Sequence, residues 1–332
     1  MNIFIKMCTA GKGSMSRAVP AFLILLLVMG SSPISAGGGG VRIVVTFSNL
    51  VHDIRLIACA DDEVDYLVPP GLDPHDYELR PGDIEKLRRA DLIVSTAHTP
   101  FEVSVRKMVS EGSVRARLME IPSVKGIRIY ENPSTGQPNY HMPIYDPLNY
   151  LAFMRELRDV LKELNPSRSE TYDRNYLEVE ERIRSMMAEA HRMNATALAS
   201  TPMAQYALEW LGVRVRFLLM KDEGLPVTPS ELSEIYRAAR SGEIDLVVTV
   251  GDERTQANLK AIEISEEFGI RRVNIPSPLE GSSIPDKLDR IVRSLGEGIE
   301  RGKSTQGDSM VLVLIPVALA LLVVYLLRRR IK

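Results

Sequence analysis

The sequence Val68-Pro-Pro-Gly-Leu-Asp-Pro-His-Asp-Tyr-Glu78 contains three prolines and one glycine, and it separates an apolar run from a helical pattern that begins near Asp83. Proline lacks the amide proton that helices and central strands need, so this stretch is predicted to be a stiff loop. The loop leaves a strand end, where α/β proteins bind their ligands. His75 follows Pro74 directly. It is either an exposed turn histidine or a ligand held still by its backbone, and this stretch alone favours neither.

Outward from this loop, the first half of the chain alternates between strand and helix patterns. β-Branched or apolar runs occur at 41–46, 64–68 and 91–95, and helical patterns lie between them. This order predicts a parallel sheet with right-handed crossovers, in a first lobe over 41–166. The alternation returns over 194–301, where a second α/β lobe is predicted.

A long helix is predicted between the two lobes, over 167–193. Its apolar residues recur at steps of three and four, from Tyr172 to Ala190, which is typical of a packing surface. At 1.5 Å per residue, about 27 residues span roughly 40 Å, enough for a strut between lobes. The predicted fold class is therefore α/β, with two parallel-sheet lobes joined by a long rigid linking helix.

The start of the chain has the pattern of a secretory signal peptide, predicted over 1–36. Basic residues precede a short apolar core at 21–29, and small residues follow it. Cys8 lies inside this segment, so Cys59 is alone in the mature chain. No intrachain disulfide is then available, and stability is expected to come from core burial.

The other end of the chain is predicted to be a membrane anchor. Residues 310–327 contain no charge, and about eighteen residues at 1.5 Å each span roughly 27 Å of hydrocarbon. The tail 328–332 carries three arginines and a lysine, which keeps it in the cytoplasm. With 302–309 as a linker, the two lobes are predicted to lie outside the cell, attached to the cell membrane by a C-terminal transmembrane helix.

Composition and motifs argue against several function classes. The chain has 332 residues and a net charge of −2, which gives no electrostatic case for a nucleic-acid partner. Neither a Gly-x-Ser-x-Gly elbow, nor the full phosphate-binding pattern Gly-x-x-x-x-Gly-Lys-Ser/Thr, nor a His-Glu-x-x-His pair is present. We therefore predict neither an enzyme nor an organic cofactor.

A second histidine occurs in a setting like that of His75. His141 lies in a proline-rich segment just ahead of a helix that Asp146 is predicted to cap. A buried loop histidine is the alternative. In the second lobe, Asp252 and Glu253 follow a strand end. Neutral imidazoles combined with one or two carboxylates form a site for a divalent metal ion, which is predicted to lie between the lobes.

Together, these residues resemble those of a known protein family. The chain resembles the metal-binding solute-binding proteins of ABC importers, the zinc and manganese receptor group. The resemblance covers 41 to about 301, and it rests on Ile43-Val-Val-Thr-Phe-Ser48, on Leu67-Val-Pro-Pro-Gly-Leu-Asp-Pro-His-Asp-Tyr-Glu78, on Pro81-Gly-Asp-Ile-Glu-Lys-Leu-Arg-Arg-Ala-Asp-Leu-Ile-Val94 and on His141. It implies an extracellular receptor that captures zinc or manganese between two lobes and delivers it to an ABC permease with its ATPase.

The resemblance also implies a set of metal ligands. His75 and His141 match the first two family histidines. The third and fourth family ligands, in the second lobe, fall near Thr201 and on Ser277. Neither hydroxyl is a good ligand, so Glu280, from the same loop as Ser277, is predicted to supply the carboxylate, with Asp252 as the alternative.

Two alternatives follow from the changed second-lobe positions. The same fold could bind a different small solute after partial loss of the metal site. A surface metallohydrolase is the other reading, since a low number of protein ligands leaves a coordination position for water. No general base is apparent for such an enzyme.

Overall fold

The computed structural model describes residues 39–72, 74–222 and 224–296. The predicted signal peptide (1–36), linker (302–309), transmembrane anchor (310–327) and cytoplasmic tail (328–332) lie outside these residues. Within the described part of the chain, no helix is both long and apolar enough to span a bilayer.

The first lobe is built on a four-stranded parallel sheet in the order β2-β1-β3-β4. Its elements are β1 (Arg42–Phe47), α1 (Leu50–Ile57), β2 (Glu63–Val68), α2 (Pro81–Arg89), β3 (Leu92–Ser95), α3 (Pro100–Ser110) and β4 (Arg117–Glu120). A short 3₁₀ turn, Pro143–Tyr145, precedes α4 (Pro147–Leu164). Helices cover both faces of the sheet, which is why its central strands are continuous apolar runs.

The second lobe repeats this plan with the order β10-β9-β5-β6, again all parallel. Its elements are β5 (Ala195–Ala199), α6 (Ala204–Leu208), β6 (Val213–Leu218), β7 (Met220–Asp222), β8 (Leu225–Pro226), α7 (Pro229–Ser241), β9 (Leu246–Val250), α8 (Gln256–Phe268), β10 (Arg271–Ile275) and a last helix, α9, over 284–296. The strands β7 and β8 form a separate antiparallel hairpin. The predicted α/β class with parallel sheets is confirmed.

The long helix predicted over 167–193 is α5 (Ser169–Glu189) in the structure, which is shorter at both ends. Pro166–Arg168 forms a 3₁₀ turn instead, and the backbone becomes extended at Ala190. At 1.5 Å per residue, its 21 residues span about 32 Å. The buried side of the helix follows the predicted stripe of Tyr172, Tyr176, Val179, Ile183 and Met186.

Helix α5 is bonded to both lobes. The Asn175 side chain donates to the Ile57 carbonyl of the first lobe at 2.9 Å. Arg182 pairs with Asp286 and Asp289 on α9 of the second lobe. One hydrophobic cluster also runs continuously from the first sheet through α4 and α5 to the second sheet. These contacts make the junction between the lobes stiff.

Candidate metal site

The cavity between the lobes lies where strands of both sheets end, and its volume is about 540 Å³. The first lobe contributes Phe47 at the end of β1, then Gly71, Leu72, Pro74 and His75 after β2, His98 after β3, and His141. The second lobe contributes Met203 after β5, Asp252 after β9, and Pro278 with Leu279 after β10. Both sheets therefore turn their carboxyl edges to the cavity, the edge at which parallel sheets bind ligands.

Three histidines line the first-lobe side of the cavity. The ring centroids of His75 and His98 are 5.4 Å apart, and those of His98 and His141 are 5.7 Å apart. The structure thus brings His75 and His141 to the same cavity, with His98 between them. The ring of Phe47 stacks on His98 at 6.0 Å.

His98 is absent from the set of ligands inferred from the sequence. The sequence feature that singled out His75 also applies to His98: a histidine near a proline, just after a buried strand. In His98-Thr-Pro100 the proline follows the histidine instead of preceding it. Only the packing of the loops after β2 and β3 shows that the two rings are neighbours.

The loop that carries His75 is held by Tyr77. The Tyr77 hydroxyl lies 2.8 Å from Asp83 Oδ2 and 3.0 Å from the Leu67 carbonyl. Burial, and the nearby Asp83 carboxylate, raise the pKa of Tyr77 to about 12, so the hydroxyl remains a donor. The ring of Tyr77 packs edge-on against Phe101 of α3, with centroids 5.3 Å apart. The predicted stiff loop is therefore fixed at both its strand and its helix side.

His98 is oriented by a chain of hydrogen bonds. Its Nδ1 lies 3.0 Å from Thr96 Oγ1, and the Thr96 hydroxyl lies 2.9 Å from Glu102 Oε2. Because the carboxylate only accepts, Thr96 donates to Glu102 and accepts from the Nδ1–H group of His98. The lone pair of Nε2 is then left for a ligand, the arrangement found in metal-binding histidines.

The charge state of His98 also suits a metal. Burial is the main cause that lowers the pKa of His98 to about 4; Glu102 acts against it, and the neighbouring His141 and His75 act with it. The ring is therefore neutral at neutral pH, and neutral imidazole is the form that binds metal ions.

Glu102 is a buried carboxylate on which the His98 loop converges. It accepts hydrogen bonds from the backbone amides of Thr96, His98 and Thr99 at 2.7–3.1 Å. Hydroxyl groups of Ser95, Thr96 and Thr99 donate to it as well. Burial acts to raise the pKa of Glu102, but these donors outweigh it and the pKa is lowered. The loop is thus built around a permanent negative charge.

The backbone is strained beside two of the histidines. Among the described residues, the non-glycine residues with positive φ are Ala97 (61°) and Met142 (55°). These residues adjoin His98 and His141 respectively. Such a conformation costs about 1–2 kcal/mol at a residue with a side chain, and it is concentrated at functional sites.

His141 is the point at which the second lobe reaches the histidines. Its Nε2 lies 2.8 Å from Oδ1 of Asp222, on the β7–β8 hairpin. Its backbone amide donates to Asn139 Oδ1 at 3.0 Å. The Asn139 side chain in turn donates to Pro202 O and Gln205 Oε1 of the second lobe. His141 is therefore fixed by both lobes.

Glu280 is not brought to this cavity. Its carboxylate accepts a hydrogen bond from Arg290 Nη2 at 2.7 Å, and among the described residues it is not part of the cavity lining. Asp252 does line the cavity, but its carboxylate pairs with Arg254 at 2.7 Å. Arg254 lowers the pKa of Asp252 to about 2.

The other two second-lobe positions carry hydroxyl groups, as the sequence indicates. The Ser277 hydroxyl accepts from the Leu279 amide at 3.2 Å. Thr201 Oγ1 is buried and has no hydrogen-bond partner within the described chain. Neither group places a carboxylate or an imidazole opposite the histidines.

In this conformation, residues 39–72, 74–222 and 224–296 contain no set of three or more His, Cys, Asp or Glu side chains already gathered around one metal position. The ring of His98 is a direct neighbour of both other imidazoles. The donor types that a divalent metal uses are therefore present at the cavity.

Comparisons with known sequences find relatives of this chain. Residues 43–287 match the sequence model of the family described as zinc-uptake complex component A, periplasmic. The chain is 25% identical over 281 residues to the iron-binding protein YfeA of Yersinia pestis, covering 77% of this chain and 86% of that protein. It is 26% identical over 268 residues to the manganese-binding lipoprotein MntA of Halalkalibacterium halodurans, with the same coverage.

A solved structure shows the same fold. The substrate-binding protein FpvC of Pseudomonas aeruginosa, in complex with Ni²⁺, aligns with a TM-score of 0.65 at 17% identity, covering 79% of this chain and 98% of that one.

Proposed function

The chain belongs to the family of zinc-uptake complex component A, and we propose that it captures a divalent metal ion, zinc or manganese, between its two lobes for delivery to an ABC permease and its ATPase. His75, His98 and His141 are the proposed ligands of the first lobe. The protein is a receptor in this proposal, and the metal is its cargo.

The convergence of three histidines on one interlobe cavity is the observation that carries this proposal. Each histidine comes from a different loop, so chain proximity alone does not bring them together. The orientation and neutral state of His98 leave one ring nitrogen for a metal, and a hydroxyl–carboxylate pair supports the other. A structural role alone does not require three imidazole rings to share one cavity.

The donor set favours zinc over manganese. Imidazole nitrogen suits zinc, whereas manganese prefers carboxylate, carbonyl and water oxygens. Zinc also lies above manganese in the general order of affinity for nitrogen and oxygen sites. We therefore expect tighter zinc binding.

Capture and release are proposed to involve small motions. Helix α5 is bonded to both lobes, and one continuous cluster fills the junction behind the cavity. A wide hinge motion would break these contacts. Small motions of the lobes are therefore proposed for capture and release.

Metal titration of the full chain in detergent tests this function. We expect zinc to bind with a defined stoichiometry, and binding to be lost in the double variant His75→Ala/His141→Ala. The double variant His52→Ala/His191→Ala is the matched control, because neither residue lines the cavity. Absence of binding of zinc, manganese, iron and nickel to the wild-type chain would refute the function.

A second candidate rests on the size and lining of the cavity. Its volume of about 540 Å³ is far larger than a bare ion needs, and apolar side chains such as Leu72, Met203 and Leu279 line much of it. Small-molecule sites have volumes of about 300–1,000 Å³ and mostly apolar walls. A small organic solute, or a metal carried by one, fits these features. Native mass spectrometry of the purified chain distinguishes the candidates, since a bare metal adds only the mass of the ion.

The membrane attachment is also part of the proposal. The uncharged segment 310–327 and the basic tail 328–332 support a C-terminal transmembrane anchor with the lobes outside the cell. The segment 1–36 is the proposed signal peptide. Resistance of the full chain to alkaline extraction from membranes, and extraction of a chain that ends at residue 309, are the expected results.

A further inference from the structure

We propose that Asp222, on the β7–β8 hairpin, is the ligand that the second lobe supplies to the metal. This inference rests on the proposed function. It addresses a gap in the site, because the two positions at which the second lobe was expected to supply ligands carry the hydroxyls of Thr201 and Ser277. Asp222 lies elsewhere in the sequence and beside the cavity lining, and its carboxylate contacts His141, which is part of that lining.

The hairpin is held in place from the first lobe. The Asn132 side chain donates to the Lys221 carbonyl at 2.6 Å. Asn132 is itself buried, and its Oδ1 accepts from the backbone amides of Ser134 and Thr135. The backbone next to Asp222 is therefore attached to a fixed group on the opposite lobe.

The hairpin is also held from its own lobe. Lys221 Nζ lies 3.0 Å from both carboxylate oxygens of Glu231, at the start of α7. Glu231 is fixed in turn by the amide and hydroxyl of Thr228. The Lys221 side chain is only 14% exposed. The residue before Asp222 is therefore anchored from both lobes, and this fixes the position of Asp222 beside His141.

The contact between His141 and Asp222 is close to the geometry of two ligands of one metal. The Nε2 and Oδ1 atoms are 2.8 Å apart. Two ligands at the usual zinc distances, in tetrahedral geometry, lie about 3.3 Å apart. Moving the two atoms apart by roughly a further half ångström would therefore make room for the ion to bind both.

The exchange of proton for metal is balanced. In the contact seen here, the carboxylate of Asp222 accepts from the Nε2–H group of His141. For Nε2 to bind a metal, this proton would pass to water, and the ring would carry its one proton at Nδ1, supplied by water. The Nε2 lone pair and the carboxylate would then both be available to the cation, and Asp222 would offset one of its two charges.

Substitution of the two second-lobe carboxylates in the full chain tests this assignment. We expect Asp222→Asn to lower zinc affinity at least about tenfold, measured by competition with a chromophoric chelator. Glu280→Gln, whose parent side chain pairs with Arg290 outside the cavity, is the matched control and should stay within about twofold of wild type. Thermal unfolding without metal should show that both variants fold.

A spectroscopic readout separates a ligand from a neighbour. Cobalt(II) placed in the site should give a visible spectrum that changes in Asp222→Asn and is unchanged in Glu280→Gln. Wild-type affinity in Asp222→Asn would overturn the assignment, and so would an unchanged cobalt spectrum even with weaker zinc binding. Failure of the wild-type chain to bind any metal would instead refute the proposed function itself.

Discussion

The two lobes share one plan but prepare their sides of the cavity differently. In the first lobe, His75, His98 and His141 stand on loops fixed by Tyr77, by Glu102 and by contacts across the cleft. Two of these loops also contain strained backbone at Ala97 and Met142. In the second lobe, the equivalent strand ends carry Thr201 and Ser277, and the remaining carboxylates near the cavity are engaged by arginines or by His141.

This difference indicates how each lobe is expected to contribute to metal binding. Buried, preorganised groups lose little entropy when they bind, so the first lobe is expected to supply most of the affinity. The exposed carboxylate of Asp222 lies against His141 and adds a negative charge there. The second lobe is therefore expected to affect retention and release more than initial capture.

The largest expected effect comes from removing His98. If a four-ligand zinc site binds with roughly 10–16 kcal/mol, one ligand accounts for about 3 kcal/mol, which is on the order of a hundredfold in affinity. We therefore expect His98→Ala to weaken zinc binding about a hundredfold, more than Asp222→Asn does. Isothermal titration calorimetry on the full chain measures the difference.

The control for this prediction is His191→Ala, since His191 is exposed and lies outside the interlobe cavity. It should bind zinc like the wild type. An affinity loss in His98→Ala smaller than that in Asp222→Asn would reverse the proposed division between the lobes.

The sequence predicts the parts of this arrangement that depend on local pattern. Apolar runs such as Leu92–Ser95 read as strands buried on both faces, and prolines mark the stiff loop of His75. The long helix is also visible from its apolar stripe. Its ends are not, because Pro166 and the extended backbone at Ala190 shorten it without breaking the pattern of apolar residues.

The sequence does not predict contacts made between distant segments. His141 and Asp222 are 81 positions apart, and their contact depends on the hairpin and on how the lobes pack. Glu280 shows the opposite failure. It is near Ser277 in the chain, but its side chain turns to Arg290, ten positions later. Proximity in sequence predicts that two residues share a loop, but it does not predict the direction in which a side chain points.

Two buried charged side chains, Lys287 and Asp53, lie behind the second-lobe loop that follows β10. Lys287 is fully buried and its Nζ donates to the Pro278 carbonyl at 2.8 Å. Asp53 of the first lobe is also fully buried. Its Oδ1 accepts from the Tyr150 hydroxyl and from the Ile284 amide, while Oδ2 has no hydrogen-bond partner in the described chain. Lys287 thus anchors the loop at Pro278, and Asp53 anchors Ile284, where the loop ends and α9 begins.

Burial raises the pKa of Asp53 from 3.8 to about 6, although the Ile284 amide and the Tyr150 hydroxyl oppose it. The folded chain therefore binds this proton more tightly than the unfolded chain does. The resulting cost is absent below about pH 4 and complete above about pH 6, where it amounts to about 3 kcal/mol, since one pKa unit corresponds to about 1.4 kcal/mol.

We expect Asp53→Asn, which keeps the acceptor oxygen, to become more stable relative to wild type by up to about 3 kcal/mol as the pH rises from 4 to 6.5. Urea unfolding of both chains across this range measures the difference, and other titrating groups cancel. The control is Asp91→Asn, whose parent side chain is partly exposed beside Arg42. Burial acts to raise the pKa of Asp91, but Arg42 outweighs it and holds this pKa below 3.8, so the trend there should have the opposite sign, with most of the change below about pH 4. A difference for Asp53→Asn that does not depend on pH would contradict the prediction.

The smallest expected effect concerns Glu102, which contacts no ligand but positions His98 through Thr96. In Glu102→Gln one carboxylate oxygen becomes an amide group that faces donors, so at least one buried hydrogen bond is lost. We expect the free energy of unfolding to fall by about 2 kcal/mol and zinc affinity to fall about tenfold, as for other groups that orient a metal-binding histidine.

Zinc titration at a temperature where the variant is fully folded separates positioning from general destabilisation. Glu111→Gln, at the exposed end of the same helix, should change stability by less than about 0.5 kcal/mol and leave zinc binding unaltered. If Glu102→Gln destabilises the chain but binds zinc like the wild type, Glu102 serves only the fold, and the preorganisation of the first lobe resides in the loop backbone around Ala97.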